Sequence, residues 1–233
     1  ELKLPVEVMK LTTYAQGLVL VTGPLGSGKT TSIMALVDLV NRSRHDHIIT
    51  IEDPIEYLLP PASCQVSQRE VGLHTKSFES ALRAALREDP DVVVIGDLRD
   101  YATARLAIAA AETGHLVFAS MPAMSAMKTL DKLLDMFPAS EQAVVRTTVS
   151  ESLRGVLCQR LVPGLKGELV PAVELLINSV AIANIIRDGK TSNLQSAMQT
   201  GRAQGMRTLN MSIDELLKRG EVSQASADQA RGA

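Results

Sequence analysis

The strongest chemical signal in the sequence is the octapeptide GPLGSGKT at residues 23–30, a full match to G-x-x-x-x-G-K-[ST]. Glycines in such a loop let successive backbone N–H groups turn inward around phosphate oxygens. A helix opening at Gly28 adds the pull of its positive N-terminal end. Gly23, Gly26, Ser27, Gly28, Lys29, Thr30 and Thr31 are therefore the expected contacts to nucleotide phosphates. Lys29 brings a point charge to the outer phosphates, and the Thr30 hydroxyl can join a Mg²⁺ shell. The plain alternative is a Gly-rich turn that only lets backbones approach. Roughly one random chain in a hundred of this length would match by composition, and here a strand-like run (GLVLVT) precedes the loop and a helix-like run follows it.

Carboxylates supply the second half of the chemistry. Glu52, Asp53 and Glu56 cluster in TIEDPIEY, where Pro54 stops a strand-like run. The acids then sit at the strand's C-terminal tip, the edge at which open α/β sheets bind ligands. They can polarise an attacking water or hold Mg²⁺ through water; a solvated acidic turn is the alternative. In DVVVIGDLRD, residues 91–100, the buried-looking run Val92–Ile95 ends in Gly96-Asp97. Asp97 has two readings: a carboxylate facing water or Mg²⁺, or the N-cap of the helix expected at 101–112. Arg83 and Arg87 lie four apart on one helical face, suited either to phosphate charge across a subunit boundary or to ion pairs with Glu79 and Glu88. His115 opens the run HLVFAS, and a single histidine is more often structural than phosphate-sensing.

These groups need a frame. Short β-rich runs at 17–22, 47–52, 92–96 and 115–120 alternate with helical patterns at 29–40, 78–88, 101–112 and 125–136, which predicts an α/β fold with a mostly parallel sheet. Segment 63–69 reads as an additional strand. After Pro138, the stretch through Leu161 reads as a helix opened by Ser140, followed by a strand at 169–177. Short helices are expected at 179–187, 193–200, 208–219 and 223–230. The implied organisation is a linker tail at 1–16, a core at 17–178 and a small helical C-terminal subdomain at 179–233. Methionines 121, 124, 127 and 136 have near-helical spacing and read as core.

Composition narrows the function. A net charge of −2 and 3% aromatic residues leave few features that bind nucleic acid or stack bases. Two cysteines, Cys64 and Cys158, without a CxxC pair argue against a disulfide framework or a structural zinc. No apolar run approaches the ~18 residues of a membrane span and no signal peptide opens the chain, so a cytoplasmic location is expected.

Taken together the motifs resemble the secretion ATPase superfamily, and within it the PilT-type retraction ATPases of type IV pili. The resemblance rests on LVTGPLGSGKTT, HIITIEDPIEY, QREVG, SFESALRAALREDPDVVVIGDLRD, AETGHLVFAS, AIANIIRD and AMQTGRAQGMRTLNMSI, in that order over nearly the whole chain. It implies a RecA-like P-loop core, ATP and Mg²⁺ as ligands, and a homohexameric ring with nucleotide at subunit interfaces. It also implies an N-terminal PAS-like domain before the linker, and an inner-membrane platform protein as partner at the base of the pilus machine. Gly23–Thr30 would be the Walker A loop, and Glu52 and Asp53 the acidic box, with Glu52 activating water. His115 would be the first of two histidine-box positions. Arg83, Arg87, Arg99 and Arg105 match family arginines.

Three departures stand out. Gly96-Asp97 replaces Gly-Glu, one methylene shorter; Met121-Pro122-Ala123 replaces Leu-His-Thr; and Ala183 replaces an arginine of the retraction-linked motif, where Arg187 remains. The tetracysteine zinc segment of the superfamily's assembly ATPases has no counterpart, which favours the retraction branch. Two functional expectations follow: a hydrolysing subunit that drives pilus retraction and twitching motility, or a hydrolysis-poor, nucleotide-binding accessory subunit working beside a paralogous motor.

Overall fold

In the computed structural model, which describes residues 2–232, seven strands form one sheet in the order β3-β2-β4-β5-β1-β6-β7. Glu1 and Ala233, the outermost residues of the expected linker and C-terminal subdomain, lie outside the described residues. The strands are β1 Gly17–Thr22, β2 His47–Glu52, β3 Gln65–Glu70, β4 Val92–Ile95, β5 Leu116–Met121, β6 Leu153–Pro163 and β7 Leu169–Ile177. β1 to β6 pair in parallel and β7 runs antiparallel to β6. β1, β4 and β5 are buried at every position. That is why they read as continuous apolar runs rather than alternating ones: helices cover both faces of a parallel sheet.

The core helices are α1 Lys29–Ser43, α2 Phe78–Ala85, α3 Tyr101–Glu112, α4 Ala126–Asp135 and α5 Ala139–Ser152. Short polar side chains set most of their starts. Ser77, Asp100 and Ser125 accept hydrogen bonds from the backbone N–H groups of Ser80, Thr103 and Lys128. The cap of α3 is thus Asp100, and Asp97 is left for other work.

One expected helix is corrected. The stretch from Ser140 to Leu161 does not stay helical: α5 begins at Ala139 and ends at Ser152, and the chain passes straight into β6. Arg154-Gly155 is the local stop signal in this stretch. Pairing with β1 on one side and β7 on the other overrides helical propensity. Gly155 in β6 lies so close to its neighbours that an added Cβ would meet Leu11 Cδ2 at 2.7 Å and Leu176 O at 2.7 Å.

The segment expected as a linker is seated on this strand. Residues Val6–Thr12 form a 3-10 turn, with Val8 and Leu11 in the core. Arg44 donates to the carbonyls of Thr12 and Tyr14, and Arg154 to that of Gln16.

After β7 come α6 Val180–Arg187, α7 Leu194–Thr200, α8 Leu209–Lys218 and α9 Gln224–Gly232. Ile182, Ile186, Leu194 and Met198, from α6 and α7, join the main core. Ile213, Leu216 and Ala227, from α8 and α9, form a second cluster with Val162, Val170 and Ala172 of β6 and β7. Among the described residues no helix is long and apolar enough to cross a membrane.

Leu11 is fully buried, whereas Val6 is 63% exposed. Leu11→Ala is expected to cost about 2–5 kcal/mol, and Val6→Ala less than about 0.5 kcal/mol, read as the difference in urea unfolding free energy.

Candidate nucleotide site

Parallel pairing brings the ends of β2, β4, β5 and β1 to one edge of the sheet, and the chemistry-bearing residues follow those ends. The loop after β1 turns on glycines in left-handed backbone: Gly23 at φ 150°, Gly26 at 73° and Gly28 at 82°. A Cβ at Gly23 would sit 2.2 Å from the Gln159 carbonyl oxygen, and one at Gly28 would sit 2.9 Å from Gln159 Nε2. At Gly23 that backbone contact excludes any side chain. Ser27 Oγ is buried in it with no protein partner, a donor left for a phosphate oxygen. Lys29 Nζ reaches back to the carbonyls of Gly23 at 3.3 Å and Pro24 at 2.9 Å, so its charge lies across the loop mouth. Burial holds the Lys29 pKa below the ordinary lysine range, against the opposing pull of the Asp97, Cys158 and Glu56 charges.

Glu52 ends β2 and is buried. Its Oε1 accepts from the Thr50 hydroxyl at 2.6 Å and from Gln68 Nε2 at 3.0 Å, while Oε2 is buried without a partner. One oxygen is locked and the other is left to accept. β4 delivers Asp97 beside it through a close backbone approach, since a Cβ at Gly96 would meet Ile51 O at 3.1 Å and Glu52 Cα at 3.2 Å. Gly96 N–H donates to Ile51 O and Ser120 Oγ donates to Gly96 O, which ties three strand ends together. Asp97 pairs with Arg99 at 2.8 Å, and Arg99 lies 4.0 Å from Asp53 and over the Phe78 ring. Thr31 Oγ1 meets Tyr57 OH at 3.2 Å.

Other expected site residues fall elsewhere. His115 precedes β5, at the opposite end of the strand from the loop, and its Nδ1 lies 3.0 Å from the Ala110 carbonyl. Within this chain it is not brought to the phosphate edge. Pro122, at the second histidine-box position, does sit at that edge, just past β5. Arg83 is exposed on α2 and paired with Glu79 at 2.8 Å, as its local reading allowed. Arg87, by contrast, is not the partner of Glu88, whose carboxylate takes Arg69. Both arginines are exposed, and Arg105 bonds Tyr101.

The residue that sequence reasoning missed is Gln159. It is buried, its Nε2 donates to Ser27 O at 2.7 Å, and its Oε1 accepts from Ser32 Oγ at 2.6 Å. It lies on β6, the strand read as helix, so no spacing argument pointed to it.

Residues 5–204 match the family described as "Type II/IV secretion system protein". The chain belongs to that family. Among secretion ATPase relatives, it is 48% identical over 222 residues to the "Type IV pilus retractation ATPase PilT" of Pseudomonas aeruginosa, covering 95% of this chain and 64% of that protein. It is 41% identical over 228 residues to the "Type IV pilus ATPase PilU" of the same organism, covering 97% and 60%. A crystal structure of the pilus retraction motor PilT with bound ADP superposes with a TM-score of 0.93 at 46% identity, covering 98% of this chain and 65% of that one. The chain therefore spans less than two thirds of the length of these relatives.

A phosphate at the loop would favour the protonated Lys29, whose pKa burial lowers in the free protein. Nucleotide affinity is expected to fall as pH rises through that lowered value, below the ordinary ~10.4 of lysine. Lys29→Arg keeps its charge in this range, so the alkaline loss should vanish even if overall affinity drops. Titration of a fluorescent ADP between neutral pH and pH ~10 reads both.

Proposed function

We propose that the chain is the ATP-hydrolysing part of a motor subunit that drives type IV pilus retraction and twitching motility. The observation that carries this reading is the buried, unpartnered Glu52 Oε2 on the same sheet edge as the glycine cradle. The cradle N–H groups and Lys29 hold the β- and γ-phosphates, with Ser27 Oγ as an added donor. Glu52, fixed through Oε1, aligns a water with Oε2 and takes its proton as the water attacks the γ-phosphorus, while the bond to the β–γ bridging oxygen breaks and ADP leaves with its electron pair, giving ADP and inorganic phosphate. The donor set suits Mg²⁺: the Thr30 hydroxyl would bind it directly, and Asp53 and Asp97 through water. Bound there, Mg²⁺ would supply charge neutralisation on the phosphates.

In this reading the subunit works in a homohexameric ring, peripheral to the inner membrane on the cytoplasmic side, and acts on a membrane platform protein. Arg83 and Arg87 are exposed, as arginines reaching into a neighbour's site would be. The linker, core and C-terminal subdomain boundaries, 1–16, 17–178 and 179–233, belong to the same proposal.

A second reading has its own support. Asp97 is a short carboxylate already engaged by Arg99, and Pro122 offers no N–H or titrating group at the β5 tip. Both favour an accessory subunit that holds nucleotide, hydrolyses it poorly and joins a paralogous motor.

Steady-state phosphate release from Mg²⁺-ATP separates the two, with Lys29→Ala as background. The motor reading expects wild-type turnover well above that background and a loss of about 10²-fold or more in Glu52→Gln. Turnover at background that Asp97→Glu restores would favour the accessory reading.

A further inference from the structure

We infer that Gln159 is the positioning residue that sets the phosphate loop in its anion-binding shape; the inference rests on the nucleotide-binding reading above. Three independent contacts converge on this one side chain and its backbone. Nε2 donates to Ser27 O at 2.7 Å, Oε1 accepts from Ser32 Oγ at 2.6 Å, and the Gln159 carbonyl lies where a Gly23 side chain would have to go. The loop is thus bonded at the residue before its last glycine and at the first turn of α1, and it packs against the β6 backbone at its first glycine.

The Ser27 contact explains how the grip works. A peptide unit is planar and trans, so its C=O and N–H point in opposite directions. Drawing Ser27 O toward β6 turns the Gly28 N–H to the other side, into the loop. The same peptide leads into Gly28 at φ 82°, a left-handed conformation open to glycine without steric cost. The amide is oriented without ambiguity, because Ser27 O can only accept and so the NH₂ group must face it. The Ser32 hydroxyl then donates to the remaining oxygen, and Ser32 N–H donates to Gly28 O. Gln159 is 4% exposed and reaches no solvent that could replace these bonds.

No other side chain of similar length supplies a donor and an acceptor on opposite sides at constant charge. A glutamate can imitate it only while protonated: its O–H then donates to Ser27 O and its carbonyl accepts from Ser32 Oγ. Once ionised it presents an acceptor to an acceptor. Burial raises the pKa of such a carboxyl, which puts the change within reach of experiment. The groups facing position 159 are the Ser27 carbonyl and Ser32 hydroxyl of the loop and α1. Lys29 and Cys158 lie in the same neighbourhood, since each feels the other's charge.

The test measures affinity for a fluorescent ADP and steady-state ATP turnover in wild type, Lys29→Ala, Gln159→Met and Gln159→Glu, with urea unfolding beside each. Gln159→Met keeps the volume and removes both bonds. It is expected to weaken ADP binding and raise KM tenfold or more, with kcat within about threefold of wild type, because the loop grips ground and transition states alike. Gln159→Glu should bind near wild-type affinity at pH ~5.5 and lose at least tenfold relative to wild type as pH rises to ~8.5. A part in packing alone would lower the unfolding midpoint without moving this profile. Wild-type affinity in Gln159→Met, or a Gln159→Glu profile parallel to wild type, would overturn the inference while leaving the nucleotide site intact. Failure of wild type itself to bind ADP above Lys29→Ala would overturn the proposed function and this role with it.

Discussion

The parallel hydrogen-bond ladder among β2, β4, β5, β1 and β6 is the constraint on which the rest of the molecule depends. Its register pairs Ile51 with Ile95, Ile95 with Ala119, and Thr22 with both Met121 and Cys158, so β1, β2, β4 and β5 end within two residues of one another, while β6 continues to Pro163. Because parallel strands point the same way, every residue that follows a strand lands on one edge. Glu52, Asp97, Pro122 and the phosphate loop are gathered there by that single fact, and the pairing of Cys158 with Thr22 sets Gln159 of β6 beside them. A group placed before a strand, as His115 is, goes to the other edge for the same reason.

Within that edge, close packing of backbone decides the fine geometry. The missing side chains at Gly23, Gly28 and Gly96 let β6 approach the loop and β4 approach the end of β2. The resulting contacts are satisfied where they shape the site, through Gln159, Gln68, Thr50 and Ser120, and left open where a ligand would act, at Ser27 Oγ and Glu52 Oε2. Buried polar atoms without partners are costly, and these two lie on the edge that carries the glycine loop.

The charged groups around this edge are held less firmly. Arg99, Asp97 and Asp53 form a partly exposed set, and pairs of that kind contribute little to stability. They can change partners when phosphate charge arrives. On α2, Arg83 is likewise exposed and paired with Glu79 of its own helix.

The sequence by itself determined the phosphate loop, the acidic strand ends and most of the sheet, because each is written in local terms. GPLGSGKT needs its glycines whatever surrounds it, and GLVLVT, HIITIE and LVPAVELLI are long apolar runs bounded by clear breakers. It also determined the family, through several long motifs in one order. Most of what only the tertiary structure decided lies after Pro138 and before Gly17. Residues 153–163 form a strand because β1 and β7 offer ladder partners on both sides, and residues 6–12 are fixed because Gly155 leaves room for Leu11. Asp100 rather than Asp97 caps α3, a choice between two carboxylates three residues apart that spacing left open. Gln159 was invisible for the same reason as its strand. Its meaning comes from Ser27 and Ser32, 132 and 127 residues away along the chain, and only folding brings them within hydrogen-bond reach.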